Sequence, residues 1–380
     1  MPLRIIHTSD WQIRKVFRFV DDDTMGLLQN ARLDAISRLG ELAIEHAASH
    51  VLVAGDVYDV EALSDLALRQ PIERMRAYPQ ITWHLLPGNH DPQRLFGLWD
   101  RLARNELPAN IVLHTGNAPY LAESDRLAVL PAPLKYRSTL SDPTEHMDSA
   151  ETPDSFYRIG LAHGSVTRFG SDDSANANYI DPGRATSARL DYLALGDWHG
   201  QKRISDRVWY SGTHEIDAFD VVDGGQALLV SFDAPGTMPR VEPLQVGRYR
   251  WHRETVQLSA RADINALDSR LRALPEPLGQ HLVYLTVEGA LSLDDFEYFD
   301  ACIRQALAAA LCVLRIDDQS LLPQPRQEDL DRIETGGFVR AAADQLAELA
   351  ADPANPQQEI AALALQRLYI EYRKLAGAES

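Results

Sequence analysis

Several side chains of metal-ligand and proton-transfer type stand just after short apolar runs in this sequence. Asp10 follows LRIIHTS, with Gln12 two residues on. Asp56 follows VLVAG, Asn89 and His90 follow ITWHLLPG, His163 follows RIGLA, and Asp197 and His199 follow YLALG. A carboxylate behind a strand-ending glycine, as in LVAGDVYD, can bridge two cations. In LPGNHDP a neutral amide oxygen suited to a metal stands beside an imidazole able to give a proton or hydrogen bond to phosphate. In LGDWHGQ two ligand-type side chains at i and i+2 share one side of an extended segment. Each element also has an ordinary structural reading, since Gly-Asp and Pro-Gly sequences make turns and a histidine after a strand is commonly just hydrogen-bonded. Their joint order points instead to ligand-type side chains gathered at one site able to hold divalent cations. Among them Gln12 offers only an amide, a feeble ligand.

Residues so far apart can meet only if strands deliver them to one edge. Residues 1 to about 245 alternate β-branched runs with helical stretches: LRIIH, LLQNARLDAISRLGELAIEHAASH, VLVAG, a helix around 63–77, then ITWHLLPG. The strand-like runs RIGLAHG, YLALG, VWYSG and ALLVSFD follow. The pattern predicts a layered α/β core with helices over its sheets, and such folds collect active sites at the carboxyl ends of strands. Two polar insertions, 141–155 and 169–183, read as surface loops. Over 246–322 the pattern restarts as a small α+β domain: a strand near 252–258, a helix from 262, the strand HLVYLTVEG, a helix over 292–310 and the strand CVLRIDD. After the hinge LPQPRQ, residues 323–380 read as a helical C-terminal tail. Its second half carries Ile360, Leu363, Leu365, Leu368 and Tyr369 as a stripe suited to docking on a partner coil.

Composition narrows the classes. The 380 residues are 45% hydrophobic without a run of 18 apolar ones, which excludes a membrane-spanning protein and leaves room for two or three domains. MPLRIIHTSD enters a strand at once, with no space for a secretory leader, so the expected compartment is cytoplasmic. Cys302 and Cys312 are expected to be buried small apolar residues, not ligands or a disulfide. The net charge of −18 argues against a bare nucleic-acid binder. It is compatible with one whose cations supply local positive charge and whose partner supplies grip. Small basic clusters are candidate phosphate contacts: Arg14, Lys15 and Arg18, then Lys135 and Arg137, then GRYRWHR, where Arg248, Arg250 and His252 alternate onto one face.

The motifs SDWQ, AGDVYD, PGNHD, AHGS and GDWHG resemble those of the calcineurin-like metallophosphoesterases, whose pattern is Asp-x-His, Gly-Asp, Gly-Asn-His-Asp/Glu, a lone His and Gly-His-x-His. Within that family HTSDWQ, the VYD after Asp56 and VWYSGTHE at 208–215 resemble the SbcD-like nucleases of double-strand-break repair. The resemblance covers residues 1 to about 260 well and the remainder only in element order. It implies a layered metallophosphoesterase β-sandwich flanked by helices, a small α+β DNA-capping domain, and a tail that engages an SMC-like ATPase. It also implies a homodimer through ALSDLALRQPIERM (Leu63, Leu66, Leu68, Ile72) and RLFGLWDRLA (Leu95, Phe96, Leu98, Trp99, Leu102).

By the same resemblance one cation belongs to Asp10, Gln12, Asp56 and His199, and the other to Asp56, Asn89, His163 and Asp197. His90 then stabilises the transition state or protonates the leaving oxygen, and Asp59 and Asp91 orient neighbours. His7 and His214 are expected to be structural. Gln12 and Asp197 stand where the family has histidines. Oxygen-rich donor sets suit manganese or magnesium better than zinc. The implied activity is that of a metal-dependent DNA nuclease. The alternatives are a phosphomonoesterase or cyclic-nucleotide phosphodiesterase, and a non-catalytic DNA-end-binding scaffold with a crippled site.

Overall fold

The computed structural model describes residues 2–104, 106–166, 177–323, 337–352 and 354–377. The chain divides into two units, Met1–Tyr249 and Arg250–Ser380.

The first unit stacks two six-stranded sheets. In one, β1 (Leu3–Thr8), β2 (His50–Val53), β3 (Thr82–Leu85) and β4 (Ile111–Leu113) run parallel. The antiparallel β11 (Gln226–Phe232) and β12 (Arg240–Gln245) complete the order β12-β11-β1-β2-β3-β4. In the other, β6 (Leu127–Ala132), β7 (Tyr157–His163), β8 (Tyr192–Gly196) and β10 (Val208–Tyr210) are parallel. The antiparallel β5 (Tyr120–Ala122) and β9 (Lys202–Arg203) form its two edges.

Period-two alternation explains why the runs are apolar throughout. Leu3, Ile5 and Leu52 point between the sheets, where they meet Val129, Ile159 and Leu161. Ile6, Val51 and Val53 point the other way, onto Ile36, Leu39, Leu68 and Ile72 of helices α1 (Asp22–Glu45) and α2 (Asp65–Arg76). A strand covered on both faces has no polar side to show. Each such aliphatic side chain contributes roughly 1.5–3 kcal/mol by leaving water. The far face of the second sheet is sealed by Met147, Ala185 and Ala188. Both long helices begin where the sequence supplies a cap: Asp21 accepts from the Thr24 amide at 2.7 Å, and Ser64 accepts from Ala67.

The 141–155 insertion is a largely exposed loop, as expected, with one 3-10 turn at Glu145–Asp148; Arg184 pins it by bonding Asp142 at 2.8 Å and also Asp148, and this clamp buries Thr144 and Met147. The expectation for the cysteines needs correction. Cys302 and Cys312 are only half-buried. Of the second insertion, residues 169–176 lie outside the described residues, whereas Asn178 and Ile180 are buried.

In the second unit β13 (Arg250–Leu258), β14 (His281–Leu291) and β15 (Val313–Pro323) form a parallel sheet in that order. Val283, Leu285 and Val287 pack on Ile264, Leu267 and Leu271 of the helix Arg261–Arg272 and on Phe299 and Ile303. The expected helix over 292–310 is an α-helix only over Leu293–Phe299 and widens into a π-helix over Asp300–Leu307. Helices Phe338–Ala351 and Gln358–Gly377 meet through Ala343 and Leu365. The expected docking stripe is therefore split. Leu365 and Leu368 pack within the unit while Ile360 and Leu363 are exposed, because positions five residues apart lie about 140° apart around a helix. The Tyr369 side chain and hinge residues 324–327 lie outside the described residues. No helix among those described is long and apolar enough to cross a membrane.

Candidate metal centre

The carboxyl ends of β1, β2, β3, β7 and β8 meet at one end of the first unit and bring the ligand-type side chains together. Asp10, Asp56 and His163 are buried and offer donor atoms that all lie within 4.8 Å of one another. On one side of Asp56, His163 Nε2 lies 3.5 Å from Asp56 Oδ1, 3.2 Å from Asn89 Oδ1 and 3.7 Å from Asp197 Oδ1. On the other side, His199 Nε2 lies 3.8 Å from Asp10 Oδ1, and Gln12 Nε2 lies 3.4 Å from Asp56 Oδ2. The Asp56 carboxylate thus faces both groups.

Tight backbone turns make this convergence. Asp10 (φ 52°), Gln12 (φ 39°), Asp56 (φ 53°) and Asp197 (φ 104°) all adopt the left-handed region, which costs a non-glycine residue roughly 1–3 kcal/mol. Strain shared by four ligand-type residues and held by a packed sandwich marks a pre-organised site. Gly88 is required for another reason: a Cβ there would sit 2.1 Å from Asp56 Oδ1.

A surrounding shell fixes each side chain. Ser9 Oγ donates to Asp10 Oδ2 at 2.6 Å, and the His90 amide donates to Asp56 Oδ1 at 2.9 Å. Buried Asp91 accepts from the amides of Gly88 and Tyr58, holding the PGNHD turn in place. His163 Nδ1 donates to the Ala54 carbonyl at 2.8 Å, which leaves Nε2 to face the centre. His199 Nδ1 is paired with Asp217 Oδ1 at 3.0 Å. Such outer partners orient ligands and raise their basicity. His90 Nδ1 lies 3.0 Å from the Asp59 carbonyl and 3.4 Å from Asp59 Oδ1, and Nε2 points toward Asp56 at 4.0 Å.

Charge balance tests whether divalent cations fit. Burial alone would lower the His163 pKa, yet Asp56, Asp10 and Asp197 together raise it to about 9. Burial, Asp10 and Asp56 push the Asp197 carboxyl up. Three carboxylates aimed at one buried space thus draw in positive charge, and the oxygen and imidazole donors around them suit a divalent cation.

Four residues of this centre were not legible as such. Arg32 is fully buried, and its guanidinium donates to the carbonyls of Asp10, Trp11 and Glu215. Asp217 holds His199, Ser9 holds Asp10, and Lys15 turns inward. Lys15 Nζ lies 2.7 Å from Gln12 Oε1 and 2.8 Å from Asp217 Oδ2. Arg14, Arg18, Arg248 and Arg250 are exposed, Arg248 standing 3.9 Å from Asp34. His7 and His214 are buried and bonded away from the centre, to Tyr192 and Leu195 and to the Arg32 carbonyl. Beside the centre opens a cavity of about 520 Å³ lined in part by Asp197, Trp198, Lys202 and Asp220. Trp198 is 44% exposed, with Lys202 Nζ 4.8 Å from its ring centre.

Residues 3–186 match the family described as Calcineurin-like phosphoesterase. Among solved structures the chain is similar to TT1561 of Thermus thermophilus, at 12% identity over 65% of this chain and 100% of that one, with a TM-score of 0.43. It is also similar to a dimetal phosphatase from Danio rerio, at 10% identity over 63% of this chain and 98% of that one, with a TM-score of 0.35. No curated protein matches.

Proposed function

We propose that the chain, whose residues 3–186 match the calcineurin-like phosphoesterase family, is a metal-dependent DNA nuclease that hydrolyses phosphodiester bonds in DNA end processing or repair. The observation that carries the hydrolytic reading is the convergence of Asp10, Asp56, Asn89, His163, Asp197 and His199 around one buried space, with His90 at its rim. Two divalent cations, manganese or magnesium, supply Lewis acidity toward the phosphate and activate water there when bound. Asp56, Asn89, His163 and Asp197 would hold one of them, and Asp10, Asp56 and His199 would hold the other. The rest falls to the chain itself: Asp217 and the Ala54 carbonyl keep the imidazoles turned inward, and His90 Nε2 gives a proton to the leaving oxygen.

Two features favour DNA over a small ester. The HTSDWQ, VYD and VWYSGTHE segments resemble the SbcD-like nucleases, and the chain continues past the hydrolytic domain into a second unit that a small substrate does not need. The net charge of −18 makes binding by the chain alone weak and salt-sensitive, with Arg14, Arg18, Arg248 and Arg250 as phosphate contacts. The test is cleavage of linear duplex, single-stranded and hairpin DNA with manganese, with magnesium or with chelator, set beside hydrolysis of p-nitrophenyl phosphate. Cation-dependent DNA cleavage is expected. Monoester hydrolysis without DNA cleavage would transfer the reading to a phosphomonoesterase, and a chain that takes up no cation would be a scaffold.

The partners in this reading are a second copy and an SMC-like ATPase. Leu68, Ile72, Leu98, Trp99 and Leu102 are buried within the unit, but Leu66, Leu95 and Phe96 are 73%, 81% and 71% exposed, which supplies an apolar surface for a homodimer. Sedimentation at micromolar concentration is expected to give a dimer, and a persistent monomer would remove it. The helical tail is the ATPase-binding segment, so removing residues 323–380 should abolish co-sedimentation with that subunit.

A further inference from the structure

We propose that Lys15 is a positioning residue that makes the two cation sites unequal. By holding the Gln12 amide oxygen it denies that oxygen to the cation at Asp10 and His199. The cation at Asn89, His163 and Asp197 therefore binds first and more tightly. The inference rests on the two-cation reading above and deepens it.

The amide has only one orientation that satisfies its neighbours. Lys15 Nζ carries three donors and no acceptor, so the group 2.7 Å away on Gln12 must be the oxygen. The amide nitrogen then faces Asp56 Oδ2 at 3.4 Å and His199 Nε2 at 3.3 Å, both of which can accept. Turning the amide over would set donor against donor at Lys15 and acceptor against acceptor at Asp56. A hydrogen bond to a charged group is worth roughly 1.5–3 kcal/mol, enough to hold the orientation.

Lys15 is itself anchored. Its amide donates to the Gln12 carbonyl at 3.0 Å, closing a turn in which Gln12 has φ 39°, and Nζ is tied to Asp217 at 2.8 Å. Asp217 also has the Arg32 guanidinium 3.8 Å away, and although burial works against it, the bond to His199 and the charges of His199, Arg32 and Lys15 hold its carboxyl well below the usual range. An anionic Asp217 keeps the ammonium where it is.

The two halves of the centre therefore differ in donors and in charge. Toward His163 there are four inward-facing donors: Asp56, Asn89, His163 and Asp197. Toward His199 there are three, Asp10, Asp56 and His199, together with an amide N–H and a nearby ammonium that both repel a cation. Limiting cation should fill the first half alone.

The test is calorimetric titration of the metal-stripped full chain with Mn²⁺, together with its electron paramagnetic resonance spectrum. Two binding events are expected, with dissociation constants roughly 10–100-fold apart, and a spin-coupled pair signal only beyond the first equivalent. Gln12→His and Lys15→Met should each tighten the weaker event and leave the tighter one unmoved, whereas Lys15→Arg should keep the wild-type gap. Two equal sites in the wild-type chain, or a weaker event unmoved by Lys15→Met, overturns the inference while leaving the two-cation reading intact. Absence of any Mn²⁺ binding overturns both.

Discussion

Replacing Asp56 by asparagine is expected to lower cation-dependent phosphodiester hydrolysis by roughly 10³-fold or more. The Asp56 carboxylate faces both the His163 group and the His199 group, and it is 1% exposed. Loss of its charge weakens both cation sites together. Cations contribute several kcal/mol of transition-state stabilisation, and about 4 kcal/mol corresponds to roughly 10³-fold in rate. The same substitution should not destabilise the cation-free protein. The Asp56 charge adds to burial in raising the pKa of Asp91, and with burial and Asp10 it raises that of Asp197, so it repels its neighbours when no cation is present. Asparagine keeps the shape and an acceptor for the His90 amide while removing that repulsion. Metal content, steady-state rate and the cation-free melting temperature are the three measurements. A variant that binds two cations and turns over normally would remove Asp56 from the centre. A cation-free variant that melts well below the wild-type chain would show the charge to be structural.

The layered α/β core could be read because its strands are covered on both faces. Such strands must be apolar throughout, and VLVAG and YLALG are. Asp10, Asp56, Asn89, His163, Asp197 and His199 were readable for a related reason: each stands at the carboxyl end of a strand or within four residues of it, so strand order carries it to the common edge. The surrounding shell had no such signal. Asp217 belongs to no strand, and Arg32 lies on α1, where an arginine reads as a solvated position until the turn at Asp10 and Trp11 offers it buried carbonyls. The inward turn of Lys15 was not legible because charge clusters are read as surface features. Its direction is set instead by the positive-φ turn at Gln12 and by Asp217, a residue distant in sequence. The tail stripe failed on geometry: five-residue spacing does not keep to one helix face. Neither the clamp by Arg184 on Asp142 and Asp148 nor the π-helix at Asp300–Leu307 follows from periodicity, since both depend on contacts made only once the chain has folded.

His90→Asn is expected to keep both cations and yet lose rate by roughly 10²–10⁴-fold on substrates with a poor leaving group. The bond to Asp59 raises the His90 pKa to about 9, with burial opposing and the charges of Asp56 and Asp59 adding to the rise. At neutral pH the ring is therefore charged, which makes it an acid and not a base. Its Nδ1 is fixed on Asp59, so the proton available for transfer is the one on Nε2, which faces the centre from a partly exposed rim. An acid works only while protonated, so wild-type activity should fall as pH rises through this pKa, and the variant should lack that limb. Bound cations offset the contribution of Asp56, which puts the limb at or below about pH 9. The leaving group supplies the sharpest separation. A deoxyribose oxygen needs a proton as it departs and p-nitrophenolate does not, so the variant should lose far more rate on DNA than on bis(p-nitrophenyl) phosphate. Equal losses on the two esters would mean that His90 stabilises charge on the phosphoryl oxygens without transferring a proton. A fall in bound cation would make it a ligand instead.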